Sequence, residues 1–321
     1  MNPPVFVSGS RLPKCLRGRL RLPVIAAPML HISGPDLVVA ACRAGIVGAF
    51  PTLNPRLIQA RAGLDGWFSE IRRGLDDDPG AFGLVCPNLI MRTDDLHDHV
   101  DTLLRHGVQM VITSVGSPKP VMARLKEADV FVFADVATVE HARKAIDVGV
   151  DGLILLTAGA GGQTGWLNPF AYVRAVREIF DGPIVLAGGI SDGVALRAAE
   201  VLGCDFAYMG TKFIAARESM ATEEYREMLV QSSMDDIVLT KAFNGLWGSY
   251  LRPSIVAAGL DPDRLDEAVS EADARQRYGS RASGPRRWTG LKSAGHSVSG
   301  VRKVLTVAEI VDQTMQEYRT A

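Results

Sequence analysis

Cysteine is scarce in this sequence. Four stand in 321 residues, at Cys15, Cys42, Cys86 and Cys204, with no CxxC and no paired metal spacing. That count excludes a disulfide framework and a thiolate metal site, and it fits a reducing compartment. Net charge is nearly absent too: 35 basic against 36 acidic residues give −1. No sequence-wide positive field is available for nucleic acid or an anionic membrane. No uninterrupted apolar stretch reaches the ~20 residues of a membrane helix. The opening MNPPVFVSGSRLPKC lacks the apolar core of a secretory signal. The expectation is a cytoplasmic protein with neither a membrane nor a nucleic-acid partner and no bound metal.

What the chain does hold is a set of eight short apolar runs. They are VIAAPM (24–29), GIVGAF (45–50), FGLVCPN (82–88), VQMVITSVG (108–116), VFVFADVA (130–137), GLILLTAG (152–159), PIVLAGGI (183–190) and FAYMGTKF (206–213). Segments such as LHDHVDTLLRHG, TVEHARKAIDVG and DGVALRAAEVLG separate them, with apolar positions three and four apart as in amphipathic helices. Gly45, Gly107, Gly149 and Gly203 stand where such helices stop. Strands apolar throughout, rather than alternating, belong to a parallel sheet covered on both faces. Eight strand–helix units in series predict an α/β fold, a (β/α)8 TIM barrel.

After residue 218 the pattern changes. Residues 219–287 are rich in helix formers and polar residues, and ATEEYREMLVQSS and DPDRLDEAVSEADARQRYG read as helices. The expectation is a barrel over 1–218, completed by 288–321 with TVAEIVDQTMQEY as its closing helix. The 219–287 piece is then a helical cap inserted after strand eight.

In such barrels the site lies at the carboxyl ends of the strands, with phosphate commonly held after strands seven and eight. Those ends read LAGGISDG and YMGTKF. Gly188, Gly189, Gly210 and Thr211 there predict a monophosphate cradle of exposed backbone N–H groups. The phosphate fits FMN, pyridoxal phosphate or a sugar phosphate substrate. Strand one ends in an apolar ledge, Pro28 and Met29, with His31 beyond it, and strand three brings Asn88 to the rim.

Taken together, LPVIAAPM, AGIVGAF, CPNLI, AGAGGQTG, LAGGISDG, DFAYMGTKFIAARES and LKSAGHSVSGV resemble the nitronate monooxygenase (2-nitropropane dioxygenase) family of FMN-dependent TIM barrels. The resemblance implies FMN as cofactor. It implies Pro28, Met29, Leu30, Asn88 and Ile90 beside the flavin ring, and Gly188, Gly189, Gly210 and Thr211 around its phosphate. Asp135 falls near where relatives often carry a lysine or glutamine touching the flavin. The chain departs from the family after strand six, where relatives carry AGGH or AGH with a catalytic histidine. Here the aligned residue is Gln163, which has no proton affinity near neutral pH and is no general base. His31 and His296 are the imidazoles left to replace it.

The implied activity is oxidation of alkyl nitronates with O2, since a nitronate is already an anion and need not lose a carbon-bound proton. The alternatives are an FMN-dependent NAD(P)H oxidoreductase acting on a quinone or enoyl thioester, and a barrel that binds flavin or a phosphate ligand without turnover.

Overall fold

The computed structural model describes residue 11 and residues 13–16, 18–76, 83–278 and 285–321. Eleven strands form among them: β1 (Val24–Ala26), β2 (Val47–Pro51), β3 (Val85–Ile90), β4 (Met110–Ser114), β5 (Phe131–Val136), β6 (Gly152–Leu156), β7 (Gly162–Gln163), β8 (Ile184–Ala187), β9 (Phe206–Met209), β10 (Ile237–Thr240) and β11 (Gly248–Leu251). Eight of them close a parallel barrel in the order β1-β2-β3-β4-β5-β6-β8-β9, with β9 returning to β1. Each barrel strand overlaps one of the eight apolar runs, β2 and β3 extending past theirs by one and two residues. Because β7 intervenes, the seventh and eighth barrel strands are β8 and β9.

Helices follow the strands around the outside, from Pro35–Arg43 after β1 to Gly193–Leu202 after β8. Gly149 and Gly203 end their helices in the left-handed conformation, at φ 85° and 108°, as the sequence predicts. The last helix, Val307–Thr320, opens with a capping box from Thr306 and Glu309. It packs against Gly193–Leu202 and Pro35–Arg43, so it closes the ring across the barrel seam.

The strands are buried on both faces, which is why their sequences run apolar without alternation. One face packs on the helices through residues such as Val24, Leu89, Val111 and Leu153. The other fills the barrel with a separate cluster that includes Ile25, Ala49, Ile112, Phe133, Ile154 and Phe206. All four cysteines are free thiols. Among the described residues no helix is long and apolar enough to cross a membrane, and no cluster could hold a metal ion.

The inserted segment differs from the expected helical cap. Helices Glu223–Gln231, Arg252–Ala257 and Glu271–Tyr278 are present, but so are β10 and β11. These two strands pair antiparallel, and β11 also pairs with β7, Gly248 opposite Gln163 and Ser249 opposite Gly162. The segment is therefore mixed α/β and is hydrogen-bonded to the glycine-rich loop after β6. Its strands are four residues long and one partner lies some eighty positions upstream, so no local hairpin pattern announces them.

Candidate active site

The last inward-facing residue of each barrel strand, or the one just beyond it, forms a floor. These are Ala27, Pro51, Asn88, Ser114, Asp135, Leu156, Ala187 and Tyr208, and all eight line one cavity of about 720 Å³. That volume lies within the ~300–1,000 Å³ of ligand pockets. The floor contains a satisfied polar pair: Asn88 Nδ2 donates to Ser114 Oγ at 3.0 Å. Asp135 contrasts with it, because its Oδ1 is buried without a hydrogen-bond partner. Burial raises its carboxyl to about 7. Tyr208 is held well above its ordinary value, first by burial and then by the charge of Asp135.

The β1 end makes the ledge. Pro28, Met29 and Leu30 line the cavity, and buried Asn54 clamps their turn. Its Nδ2 donates to the carbonyls of Met29 at 3.0 Å and Ser33 at 2.9 Å, while its Oδ1 accepts from the His31 N–H at 3.1 Å. His31 holds this turn at φ 62° and does not line the cavity. Burial lowers the pKa of its imidazole. Sequence reasoning missed Asn54, whose signal is only an Asn-Pro at the start of a short helix.

Across the barrel, Gly188 and Gly189 turn at φ 126° and 75°. A Cβ on Gly188 would stand 2.5 Å from Thr157 Oγ1, so the loop has no room for a side chain there. Among the described residues the N–H groups of Gly189, Ile190, Gly210 and Thr211 have no hydrogen-bond acceptor. Lys212 Nζ donates to the Ser191 carbonyl at 2.8 Å, tying the β8 loop to the β9 end. Its burial lowers its pKa. Thr211 Oγ1 accepts from the Gly295 N–H at 3.0 Å, which leaves its own O–H to donate elsewhere.

The glycine-rich stretch 157–166 makes its closest approach to the chain's own backbone. A Cβ on Gly161 would lie 2.8 Å from the Gly295 nitrogen, and one on Gly295 would lie 2.4 Å from the Gly159 oxygen. His296 N–H donates to that Gly159 oxygen at 2.9 Å, and Gly162 N–H to Ser293 Oγ at 2.7 Å. Tyr225, from the insertion, anchors the same turn by accepting from Ser293 N–H at 2.9 Å. The AGH turn at 294–296 thus presses on the glycines. His296 itself is exposed and does not line the cavity.

Gln163 faces the cavity from β7, beside Trp166, Trp247 and Trp288, and its amide has no partner among the described residues. All nine positions expected around the cofactor line the same cavity as Gln163: Pro28, Met29, Leu30, Asn88, Ile90, Gly188, Gly189, Gly210 and Thr211. His31 and His296 stay outside it. Among the described residues the imidazole that does line it is His141, exposed at the start of the helix after β5 and marked by no motif.

The nitronate monooxygenase family model matches residues 87–317 of the chain. The chain is 28% identical over 237 residues to the (3aS,4S,5R,7aS)-5-hydroxy-7a-methyl-1-oxo-octahydro-1H-indene-4-carboxyl-CoA dehydrogenase of Mycobacterium tuberculosis, covering 73% of this chain and 64% of that protein. It is 28% identical over 193 residues to a probable nitronate monooxygenase of Staphylococcus aureus, covering 57% and 53%. It therefore spans about half to two-thirds of these relatives' lengths. FabK from Thermotoga maritima superposes with a TM-score of 0.74 at 25% identity, over 95% of this chain and 94% of that one. A family model covering most of the chain, on a barrel whose strand ends carry the matching motifs, makes this chain a member of the nitronate monooxygenase family.

Proposed function

We propose that the protein is an FMN-dependent oxidoreductase that oxidises alkyl nitronates with O2. One observation carries the reading: the nine residues expected around a flavin, drawn from separate strand ends, line one cavity with Gln163. The cavity suits the cofactor. It joins an apolar ledge and a partly polar floor to a glycine turn whose N–H groups lack acceptors, as a monophosphate requires. Bound FMN supplies a ring that accepts an electron pair from the substrate and passes it to O2.

The chain's own contribution is placement. Met29 and Leu30 offer an apolar face to a planar ring, and Gly188, Gly189, Gly210 and Thr211 offer donors to its phosphate. Gln163 offers an amide that donates to an anionic nitro group and orients it without removing a proton. Neither His31 nor His296 lines the cavity, which favours a substrate that arrives as a preformed anion. A second reading is an FMN-dependent NAD(P)H oxidoreductase acting on a quinone or thioester. The naming of one relative for an acyl-CoA substrate supports it, as do Trp166 and Trp247, exposed at the cavity mouth.

Anaerobic mixing of the flavin-loaded protein with a nitronate, NADH and NADPH in turn separates the two. Rapid bleaching of the flavin by the nitronate alone is the expected result. Bleaching by NAD(P)H without response to the nitronate would transfer the assignment to the second reading.

A further inference from the structure

Asp135 is the inward residue of β5 at the level of the cavity floor. Its neighbours do not supply what a carboxylate needs. On β4, Ser114 is already bonded to Asn88, and on β6 the register neighbour Ile154 leads to apolar Leu156. Oδ1 is shut off from solvent with no donor in reach. Asp135 is half-buried at the cavity floor, and its buried Oδ1 without a cation or donor among the described residues disfavours the charged form, so the group holds its proton to higher pH than an ordinary carboxyl.

The titratable groups that face it are Tyr208 from β9 and Cys86 from β3. Burial holds both well above their ordinary values, so both are neutral near pH 7. Arg92, His141, Glu271 and Arg287 line the same cavity, yet burial alone moves Asp135. Below about pH 7 the floor therefore presents one neutral acid, and a neutral acid is a hydrogen-bond donor.

We propose that Asp135 enters the site as a neutral carboxylic acid and donates a hydrogen bond to an acceptor atom of the bound flavin ring, so that flavin binding requires its proton. This rests on the flavin reading above. It makes Asp135 a binding residue that supplies a donor without a permanent charge, near where the family resemblance often puts a lysine or glutamine. An occupant that accepts this bond also stabilises the acid, so binding takes up a proton wherever the empty site has lost one.

The sign follows directly. Below the carboxyl's value of about 7 the empty site is already protonated and affinity is constant. Above it, affinity falls with rising pH, toward tenfold per unit. The test titrates apoprotein with riboflavin and with FMN by fluorescence quenching, from about pH 5.5 to about pH 8.5. Riboflavin isolates the effect, because the FMN phosphate has its own ionisation near pH 6. Wild type should show a riboflavin Kd that is flat at low pH and climbs above about 7. Asp135→Asn keeps a donor without a titration and should stay flat near the wild-type low-pH value. Asp135→Leu should also be flat and should bind more weakly than Asp135→Asn at every pH. Parallel profiles for wild type and Asp135→Asn, or a wild-type Kd that falls with rising pH, would overturn the proposal and leave the flavin site standing. No saturable binding of either flavin at any pH would overturn the flavin reading and this inference with it.

Discussion

Gln163 holds the position where the resemblance puts a catalytic base, and its amide faces the cavity without a partner among the described residues. Gln163→His places an imidazole there, so turnover of neutral nitroalkanes should rise and acquire a pH dependence near the ordinary imidazole value of about 6.5. Turnover of preformed nitronates should change little, since they have no proton to lose. Gln163→Ala should cost about 1 kcal/mol of binding, one neutral hydrogen bond, and appear mainly in KM. Initial rates on matched nitroalkane and nitronate pairs check both. Equal effects on the two substrate forms would remove Gln163 from the chemistry. At this scale the sequence was informative where a motif named the residue, as for Asn88 or Gly188. It was silent where a side chain acts through a contact distant in sequence. Asn54 is recognisable as the clamp of the β1 turn only once its bonds to Met29 and Ser33 are seen. His31 and His296 were plausible by proximity to motifs, and their side chains lie outside the cavity.

Among elements, the barrel strands were legible because burial on both faces writes an apolar run into each one. The helices were legible because one face of each is buried, as in Val307–Thr320, which buries Val307, Ile310, Val311, Thr314, Met315 and Tyr318. β7, β10 and β11 were not, since they are short and join residues 162–163 to 248–251 across the fold. The crossing of the glycine-rich loop over the 293–296 turn was equally hidden. Two glycine substitutions separate its steric demand from ordinary backbone strain. Gly107 sits at φ 65° with nothing within 4 Å of a built Cβ. Gly107→Ala should therefore cost about 1–2 kcal/mol through left-handed strain alone, with flavin content unchanged. Gly295 has an ordinary φ of −101°, but its Cβ would strike the Gly159 oxygen and Gly161 nitrogen. Gly295→Ala should cost a comparable about 1–3 kcal/mol of overpacking. It should also lower flavin content, because the displaced loop carries Gln163 and the cavity wall. Thermal melts paired with flavin absorbance distinguish the two. Full flavin loading in Gly295→Ala would show that the crossing does not shape the site.

For the molecule as a whole, the barrel supplies a floor with one residue from each strand, and the insertion supplies a wall through Tyr225, Asn244, Leu246, Trp247 and Glu271. Arg92 pairs with Glu271 at 3.1 Å, joining the rim after β3 to the insertion across the mouth. The pair is exposed on both sides and contributes little stability in water, about 0–1 kcal/mol, beside the β11–β7 pairing and the Tyr225 anchor that join the insertion to the barrel. On the reading proposed above, this enclosure is a flavin site. The most direct measurement is the flavin content of the purified protein, by absorbance and mass of the released cofactor, for wild type beside Gly210→Leu. A Cβ on Gly210 would come within 3.5 Å of Met29 Sδ, and a larger side chain would fill space between the ledge and the N–H groups. Wild-type protein should carry about one noncovalent FMN per chain, and a Gly210→Leu variant that remains folded should carry little. Wild-type protein that carries no FMN and does not take it up when supplied would contradict that reading.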